Sequence, residues 1–590
     1  MPTTPSLNKR TRKVSGPPAV DATPAGSEPV TRVLRIIAQD PSVVAGDGRI
    51  LTANVPVPVE SLEPGPRGYR VHVIDYDSST QVTYAPQVID PVADPFAAAS
   101  DTALLESPGF HAQNVYAIVM RTLASFEFAL GRRVSWAFES HQLQVAPHAF
   151  SLANAYYSRY DQALFFGYFG SDPKNPVFTC LSHDVVAHET THALLDGLRS
   201  RYMDPSSIDQ MAFHEGFADV IALLSVFSLE EVVEVLLDPS SDGEAKRAAG
   251  MISLDRVTTN ALYESALLGL GEQMGHSMPG ARGNALRRSV ALEPDAAILD
   301  HPAFREEHRR GEVFVAAMMR AFVEVWRHRI LQLGEVQKGR LNLGRVVEDG
   351  AKAARHLMTM AIRALDYCPP TALTFGQYLS ALLEADEQIQ PDDRTYRYRE
   401  AVRTTFAAYG ILPHPKSWRI TPAEDARLRY SRVHFDSMQR DEDEVFRFVW
   451  ENRGELNLNL DAYTKVISVR PCIRQSTDGF ILREIVAEYV QIVNVTAAEL
   501  SAALGHPIPD RRDDEQIRLY GGGTLIFNEF GRLQHHAQNP IPDLNENKDL
   551  LLKLLDWGLF DGATSGRFSQ MHLKRAVSLP LAPGMEDESW

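Results

Sequence analysis

The spacing of apolar residues divides the chain into a strand-rich first part and a helical second part. Apolar side chains three and four positions apart predict helices over residues 114–130, 312–333 and 345–365. Short apolar or alternating segments bounded by turn residues predict strands nearer the start of the chain. These predicted strands cover residues 32–37, 49–59, 69–77 and 163–170.

The pattern changes again near residue 417. Residues 427–444 are dense in charge of both signs, which favours a linker or an exposed helix. Beyond them, alternating segments predict strands over residues 445–450, 463–473, 479–495 and 523–527, and a helix over residues 547–557. These segments predict a small α+β domain, in which we find no catalytic motif.

Composition limits the classes of function. A chain of 590 residues, 44% hydrophobic and 23% charged, is typical of a soluble globular protein with more than one domain. The formal net charge of −17 argues against a nucleic-acid partner, because phosphates would be repelled. No uninterrupted apolar run reaches transmembrane length, so no membrane partner is predicted. The oligomeric state does not follow from the sequence.

The cysteines and the first residues bear on the compartment. Cys180, Cys368 and Cys472 have the spacing of neither a disulfide framework nor a zinc finger, which favours a reducing compartment. Residues 1–30 are rich in Pro, Ser, Thr and Ala and contain no apolar stretch of the kind found in secretory signals. We therefore expect a disordered arm and a cytoplasmic protein, with export by a non-classical route as an open alternative.

A metal-binding pattern stands at the centre of the chain. His188 and His192 belong to an H-E-x-x-H motif inside an apolar segment, and residues four apart share one face of a helix. Both imidazoles can therefore direct a nitrogen to one point, as zinc requires. Glu189 lies one step around the helix, where it can contact a water molecule without binding the metal.

A second apolar helix supplies the remaining polar groups. A hydrolytic zinc site takes three protein ligands, and Glu215 is the predicted third. Asp219, four residues later, falls on the same helix face and can accept the N–H of a ligand histidine. The alternative is that both histidines are ordinary core residues and that the motif arose by chance.

At these residues the chain resembles the thermolysin family of zinc endopeptidases, the gluzincins, whose ligands are His, His and Glu. Residues 154–157, Asn-Ala-Tyr-Tyr, resemble the family's substrate-binding edge strand. Residues 180–187 resemble the lead into its zinc helix, and residues 307–317 resemble the segment that carries its catalytic histidine. Residues 375–411 resemble its closing helices, so the resemblance covers about residues 69–412.

The resemblance implies an α+β fold with a two-lobed catalytic domain. Its N-terminal lobe would be rich in β-structure, its C-terminal lobe mainly helical, and zinc would lie in the cleft between them. The predicted organisation is an arm (1–30), short strands (31–68), the metallopeptidase domain (69–413), a linker (414–444) and the C-terminal α+β domain (445–590). A loop-rich insertion is expected between residues 229 and 300.

The resemblance also implies functions for individual residues and a polypeptide substrate. Glu189 would act as general base, and His308 or Tyr202 would stabilise the developing oxyanion. The substrate backbone would bind along Asn154, Ala155 and Tyr157. Arg256, Arg282 and Arg310 are candidates for holding the substrate carbonyl, with a solvated surface arginine as the alternative for each. Zinc is the implied cofactor, and calcium is a further ion that the family suggests.

Two other classes of function stay open at this point. A zinc aminopeptidase would use the same zinc ligands, but its G-x-M-E-N element is not found ahead of the H-E-x-x-H motif. An inactive peptidase-like scaffold would act by binding alone. Glu189 is present, and loss of activity would be expected to remove it first, because this residue performs chemistry without holding the metal.

Overall fold

The computed structural model describes residues 31–45, 47–90, 93–170, 176–203, 206–237, 250–264, 289–475, 479–509, 511–544 and 546–556. Over these ranges the chain combines α-helices with β-sheets, as the hydrophobic pattern predicts. The arm predicted at residues 1–30 lies outside the described residues, as does much of the insertion predicted at 229–300. Within the described ranges, the helices are too short or too polar to cross a bilayer.

The secondary structure elements are numbered in chain order. The strands are β1 Thr31–Ile37, β2 Thr52–Pro58, β3 Val71–Val73, β4 Tyr76–Asp77, β5 Val82–Thr83, β6 Leu143–Phe150, β7 Ala155–Ser158, β8 Ala163–Phe169, β9 Val177–Phe178, β10 Met251–Ser253, β11 Arg340–Asn342, β12 Tyr463–Gln475, β13 Ile481–Thr496, β14 Gln516–Asn528 and β15 Leu533–Asn539. The helices are α1 Asp101–Glu106, α2 Pro108–Leu130, α3 His183–Leu198, α4 Ile208–Phe227, α5 Glu230–Leu237, α6 Glu307–Ile330, α7 Leu343–Ala364, α8 Phe375–Ile389, α9 Tyr398–Ala408, α10 Pro422–Asp425, α11 Phe435–Met438, α12 Glu442–Glu451, α13 Ala497–Leu504 and α14 Lys548–Asp556.

The N-terminal sheet has the strand order β3-β6-β8-β7, with β9 beside β8. β3, β6 and β8 are parallel, whereas β7 is antiparallel to β8 and lies at the edge. β1 and β2 form a separate antiparallel hairpin against α2. Their side chains alternate between buried and exposed, which is why the period of two in the sequence predicts them correctly. The strand predicted at 163–170 is confirmed as β8.

The helical part is built around α4. Every residue of α4 from Ala212 to Phe227 is buried, and the helix packs against α3, α6 and α7. The helices predicted at 114–130, 312–333 and 345–365 are confirmed as α2, α6 and α7. α2 and α6 begin earlier than predicted, because the side chains of Ser107 and Glu306 accept backbone N–H groups at their first turns.

The C-terminal sheet is an antiparallel meander of β12, β13, β14 and β15. The strands predicted at 463–473 and 479–495 are confirmed as β12 and β13, and the one at 523–527 is the second half of β14. It packs on the helical part through buried ion pairs. Arg474 of β12 is 0% exposed and donates to Asp366 and Glu484, and Arg132 also donates to Asp366. The hydroxyl of Tyr367 donates to Glu484 Oε1 at 2.7 Å. Besides these ion pairs, Cys472, Val486, Ile526 and Ala537 of the sheet belong to the same hydrophobic core as the helical part.

The strand predicted at residues 445–450 is wrong, because this segment belongs to helix α12. Val445, Phe448 and Val449 are buried at helical spacing, and Asp441 caps the first turn by accepting the N–H of Asp443. β-branched and aromatic side chains are typical of strands, but here they form the apolar stripe of an amphipathic helix.

The segment predicted as a linker is packed against the C-terminal sheet. Trp418 is 5% exposed and Met438 is 1% exposed. The backbone N–H of Ile420 donates to Gln534 O at 2.8 Å, and that of His536 donates to Trp418 O at 2.8 Å. Residues 414–444 therefore extend the edge of β15 and contribute the short helices α10 and α11. Whether the C-terminal region folds as a separate domain stays a prediction.

Candidate metal centre

Helix α3 presents His188 and His192 on one buried face. Both side chains are 0% exposed, and their Nε2 atoms lie 2.8 Å apart. The two rings are nearly perpendicular, with 88° between their planes. Spacing of four residues brings the rings onto successive turns of the same face, so that one nitrogen of each reaches the same point.

Glu215 of α4 completes a three-residue cluster. Its carboxylate oxygens lie 3.8 Å from His188 Nε2 and 3.6 Å from His192 Nε2. Two ligands of a tetrahedral zinc ion are about 3.4 Å apart, a value that follows from metal–ligand distances of about 2.0–2.1 Å. The three observed separations lie on both sides of that value. The predicted His-His-Glu set is thus brought together in the core, where it could hold a metal ion.

In each imidazole the outer nitrogen, the one on the side of the ring away from the cluster, is Nδ1, and it has a polar partner. His188 Nδ1 lies 2.7 Å from Asp219 Oδ1, and His192 Nδ1 lies 2.8 Å from His214 Nδ1. A proton on each Nδ1 leaves the lone pair of Nε2 directed into the cluster, which is the tautomer that metal binding needs.

Asp219 lies where its spacing from Glu215 predicts, whereas the contact made by His214 was missed. His214 directly precedes Glu215 in the sequence, but this position does not show that its ring contacts His192 of the neighbouring helix α3. The polar ring of His214, directly before Glu215 on a helix whose other residues nearby are mostly apolar, is the signal that could have identified it.

Two glycines allow α6 to approach α4 beside the cluster. A Cβ atom on Gly216 would lie 3.0 Å from Gly311 O, and a Cβ atom on Gly311 would lie 2.9 Å from Ala212 O. Larger residues would therefore push the helices apart. The crossing places the first turn of α6, which carries His308, beside the turn of α4 that carries Glu215.

The first turn of α6 combines two acids with His308. His308 Nδ1 lies 2.5 Å from Glu306 Oε1, and the His308 side chain is 21% exposed. Burial raises the pKa of Glu306, but hydrogen bonds from His308 and from backbone N–H groups outweigh it and lower that pKa to about 2. Burial also raises the pKa of Glu307, and Glu215 adds to that rise. An ionised Glu306 thus orients the His308 ring at the rim of the cluster, and the catalytic role of His308 stays a prediction.

The predicted substrate-binding residues lie in or beside edge strand β7. Gly167 N donates to Asn154 O at 2.9 Å, so residues 154 and 167 form a hydrogen-bonded pair between β7 and β8. In an antiparallel ladder every second residue of a strand forms such a pair, and the residues between them direct their backbone groups away from the partner strand. The backbone groups of Ala155 and Tyr157 then face the outer edge, where none of the described strands pairs with β7. Asn154 Oδ1 accepts the Ala155 N–H at 3.0 Å. The Ala155 N–H thus already has a partner within the chain, and substrate binding along Asn154, Ala155 and Tyr157 stays a prediction.

The side chain of Tyr157 has a different task. It is 1% exposed, and its hydroxyl donates to Asp196 Oδ2 at 2.9 Å. Asp196 lies four residues after His192 on α3 and also pairs with Arg159 at 2.7 Å. The Tyr157 side chain therefore ties the edge strand to the helix that carries both histidines, and only its backbone faces outward.

Tyr202 lies in the core, within the one-turn 3-10 helix Ser200–Met203. It is 1% exposed, its hydroxyl donates to Pro369 O at 2.7 Å, and burial raises its pKa well above the usual range. This position does not fit contact with a substrate, so the prediction made for Tyr202 is replaced by a packing role. The sequence pattern cannot distinguish a buried tyrosine from one that faces a cleft.

The arginines predicted to assist at the carbonyl have structural partners or lie outside the described residues. Arg310 pairs with Asp209 Oδ1 at 2.5 Å, and Arg256 donates to Leu237 O at 3.1 Å. Arg282 lies outside the described residues. The Arg310–Asp209 pair links the first turns of α6 and α4, which supports the helix crossing beside the cluster.

Neither protein-family models nor curated proteins give a match to this chain.

Proposed function

We propose that this protein is a zinc-dependent endopeptidase with a thermolysin-like catalytic domain. The observation that carries the proposal is the convergence of His188, His192 and Glu215 in the core, with Glu189 next to the first ligand. Two imidazoles and one carboxylate form a donor set that fits zinc, and three protein ligands leave a position for water. The partners of the outer nitrogens support the same assignment.

The proposed domain has two lobes. The N-terminal sheet with α2 forms the lobe rich in β-structure, and α4, α6, α7, α8 and α9 form the helical lobe, with α3 between them. The outer edge of β7 would bind an extended peptide by adding a strand. An edge that can bind backbone along its length favours cleavage inside a chain over removal of single terminal residues.

Each side chain then has a task in peptide hydrolysis. When bound, zinc would lower the pKa of a water ligand and polarise the substrate carbonyl. Glu189 would take the proton of the attacking water on its carboxylate and pass it to the leaving nitrogen. His308, held through Nδ1 by Glu306, would donate a hydrogen bond from Nε2 to the oxyanion. Burial of Glu189, which is 0% exposed, would keep that proton from bulk water.

Two substitutions separate metal binding from chemistry. Glu189→Gln should leave the zinc content of the protein unchanged and lower hydrolysis of an unfolded protein by about 10²- to 10⁴-fold. Glu215→Ala should lower the zinc content by one ion per chain and abolish hydrolysis. Glu230→Gln, an exposed change at the start of α5, is the matched control. Zinc-loaded wild type that cleaves no unfolded protein would reject the endopeptidase, and full zinc content in the Glu215→Ala variant would reject the ligand set.

A further inference from the structure

A second buried group of metal-ligating side chains lies in the N-terminal part of the molecule. It consists of His111 from α2, His148 from β6 and Cys180 from the 3-10 turn Thr179–Leu181. Their exposed fractions are 1%, 2% and 0%. One ligand atom from each lies within 4.8 Å of the others. None of the three belongs to the proposed catalytic site.

Hydrogen bonds to oxygen fix the outer nitrogen of each ring. His111 Nε2 lies 2.9 Å from Leu105 O, and His148 Nδ1 lies 2.8 Å from Asp75 Oδ1. A carbonyl and a carboxylate can only accept, so both outer nitrogens carry protons. The inner nitrogens, His111 Nδ1 and His148 Nε2, then face each other at 2.7 Å. Two lone pairs repel at this distance unless a cation lies beside them.

The cation is either a proton or a metal ion. A proton would make His148 an imidazolium paired with Asp75 in the core. In either case the proton that His111 donates from Nε2 to Leu105 O leaves a lone pair on its Nδ1. The presence of Cys180 favours a metal ion over a proton. Its sulfur is a third donor beside the two imidazole nitrogens, which matches a metal site, whereas two nitrogens that share a proton need no third group.

The layout repeats that of the His188–His192 pair. In both places two inner ring nitrogens lie within 2.8 Å, and the outer nitrogens have polar partners. A carboxylate holds one outer nitrogen in each pair, Asp75 on His148 and Asp219 on His188. This arrangement is usual for metal-binding histidines, whose second N–H is donated to a carboxylate or a carbonyl.

We propose that His111 Nδ1, His148 Nε2 and Cys180 Sγ bind a divalent metal ion of borderline softness, zinc above all, in a structural site. Two imidazoles and a thiolate are donors that such an ion accepts. The thiolate and the Asp75 carboxylate together balance both charges of the ion, which lowers the free energy of burying it.

The surroundings indicate a closed site. The ring centroid of Phe178 lies 4.7 Å from that of His111 and 5.1 Å from that of His148. The ring centroid of Tyr84 lies 5.0 Å from that of His148. Asn114 Nδ2 donates to Cys180 O at 2.9 Å and fixes the turn that carries the thiol. Aromatic walls leave a substrate little access, so the ion would join α2, β6 and the turn that leads into α3.

Binding must release protons. The ion would form its bond to sulfur as the S–H bond breaks, and it would also displace the proton that the two inner ring nitrogens share in its absence. Both protons would leave to solvent. No electron is transferred in this exchange.

Cobalt(II) titration of the full-length protein tests the proposal, because a cobalt–thiolate bond gives an intense charge-transfer band in the near ultraviolet. The His188–His192–Glu215 cluster contains no sulfur and cannot give that band. Wild type should bind two cobalt ions per chain and show the band. Glu215→Ala should bind one ion and keep the band, which separates this site from the proposed catalytic one.

The thiol variants locate the band. Cys180→Ser should remove it and lower the cobalt content by one, whereas Cys368→Ser, a buried thiol outside the cluster, should keep it. Circular dichroism establishes that each variant is folded. A metal-loaded wild type without the band would overturn the proposal whether or not the variants fold. A band that persists in the Cys180→Ser variant would also overturn it.

Discussion

His214 Nδ1 lies 2.8 Å from His192 Nδ1, and the two rings stack with their centroids 4.8 Å apart. Only one proton fits between two nitrogens at this distance. When Nε2 of His192 is used for metal binding, that proton belongs to His192 Nδ1, and His214 accepts it through a lone pair. A neutral His214 thus selects the tautomer of a proposed metal ligand.

His214→Ala is expected to weaken zinc binding by about 10- to 100-fold, because His192 loses the acceptor that fixes its ring. His214→Asn should recover much of the affinity, since an amide oxygen can accept the same proton. Competition with a chelator of known affinity measures both. Equal affinity in wild type and the Ala variant would show that His214 serves packing alone.

Asp219→Ala is expected to weaken zinc binding by about the same 10- to 100-fold, because His188 Nδ1 loses its carboxylate partner at 2.7 Å. The control is Glu234→Ala, which removes an exposed acid from α5 and should leave the affinity unchanged. The same competition assay applies. An unaltered dissociation constant for Asp219→Ala would reduce that residue to an ordinary acid on the helix.

His308→Ala is expected to lower kcat/KM for a peptide by about 10²- to 10³-fold, the usual effect of removing one oxyanion donor. The zinc content should not change, because His308 is not among the proposed ligands. Arg305→Ala, an exposed change three residues earlier, is the control. A variant that keeps its kcat/KM would exclude His308 from the chemistry.

Gly216→Ala is expected to lower the free energy of unfolding by about 1–3 kcal/mol, because the added methyl group overpacks the crossing of α4 and α6. The control is Gly334→Ala, where an added Cβ atom meets nothing within 4 Å. Urea unfolding of the metal-free proteins measures the difference. Equal stability of the two variants would mean that the helices can separate without loss.

Asp366→Asn is expected to destabilise the protein by about 3–5 kcal/mol at neutral pH, because the buried Arg132 loses its carboxylate partner and Arg474 is left with Glu484 alone. Burial raises the pKa of Asp366, but both arginines outweigh it and hold that pKa well below its usual range.

The pH dependence of this effect follows from the direction of the shift. Asp366 stabilises the folded state above its unfolded pKa of about 3.9, and that contribution is lost as the pH falls toward the lower folded value. The Asn variant should therefore show a shallower loss of stability below about pH 4. Acid unfolding followed by tryptophan fluorescence compares the two proteins, with Asp47→Asn as an exposed control. Parallel acid transitions would argue against this linkage.

Features that depend on local spacing could be predicted from the amino-acid sequence. An interval of four residues put His188 and His192 on one helix face, and the same interval aligned Glu215 with Asp219. Apolar periodicity located α2, α6, α7, β12, β13 and the second half of β14. These features are predictable because backbone geometry repeats every 3.6 or 2 residues wherever the chain folds regularly.

Contacts between side chains of different helices and strands became known only from the folded structure. It placed Tyr202 in the core, joined His214 to His192, and turned residues 445–450 into a helix. It also places His111 Nδ1 at 2.7 Å from His148 Nε2, although the two residues are 37 positions apart in the sequence. Contacts between distant segments depend on how whole helices and sheets pack, and the local sequence around one residue does not specify that packing.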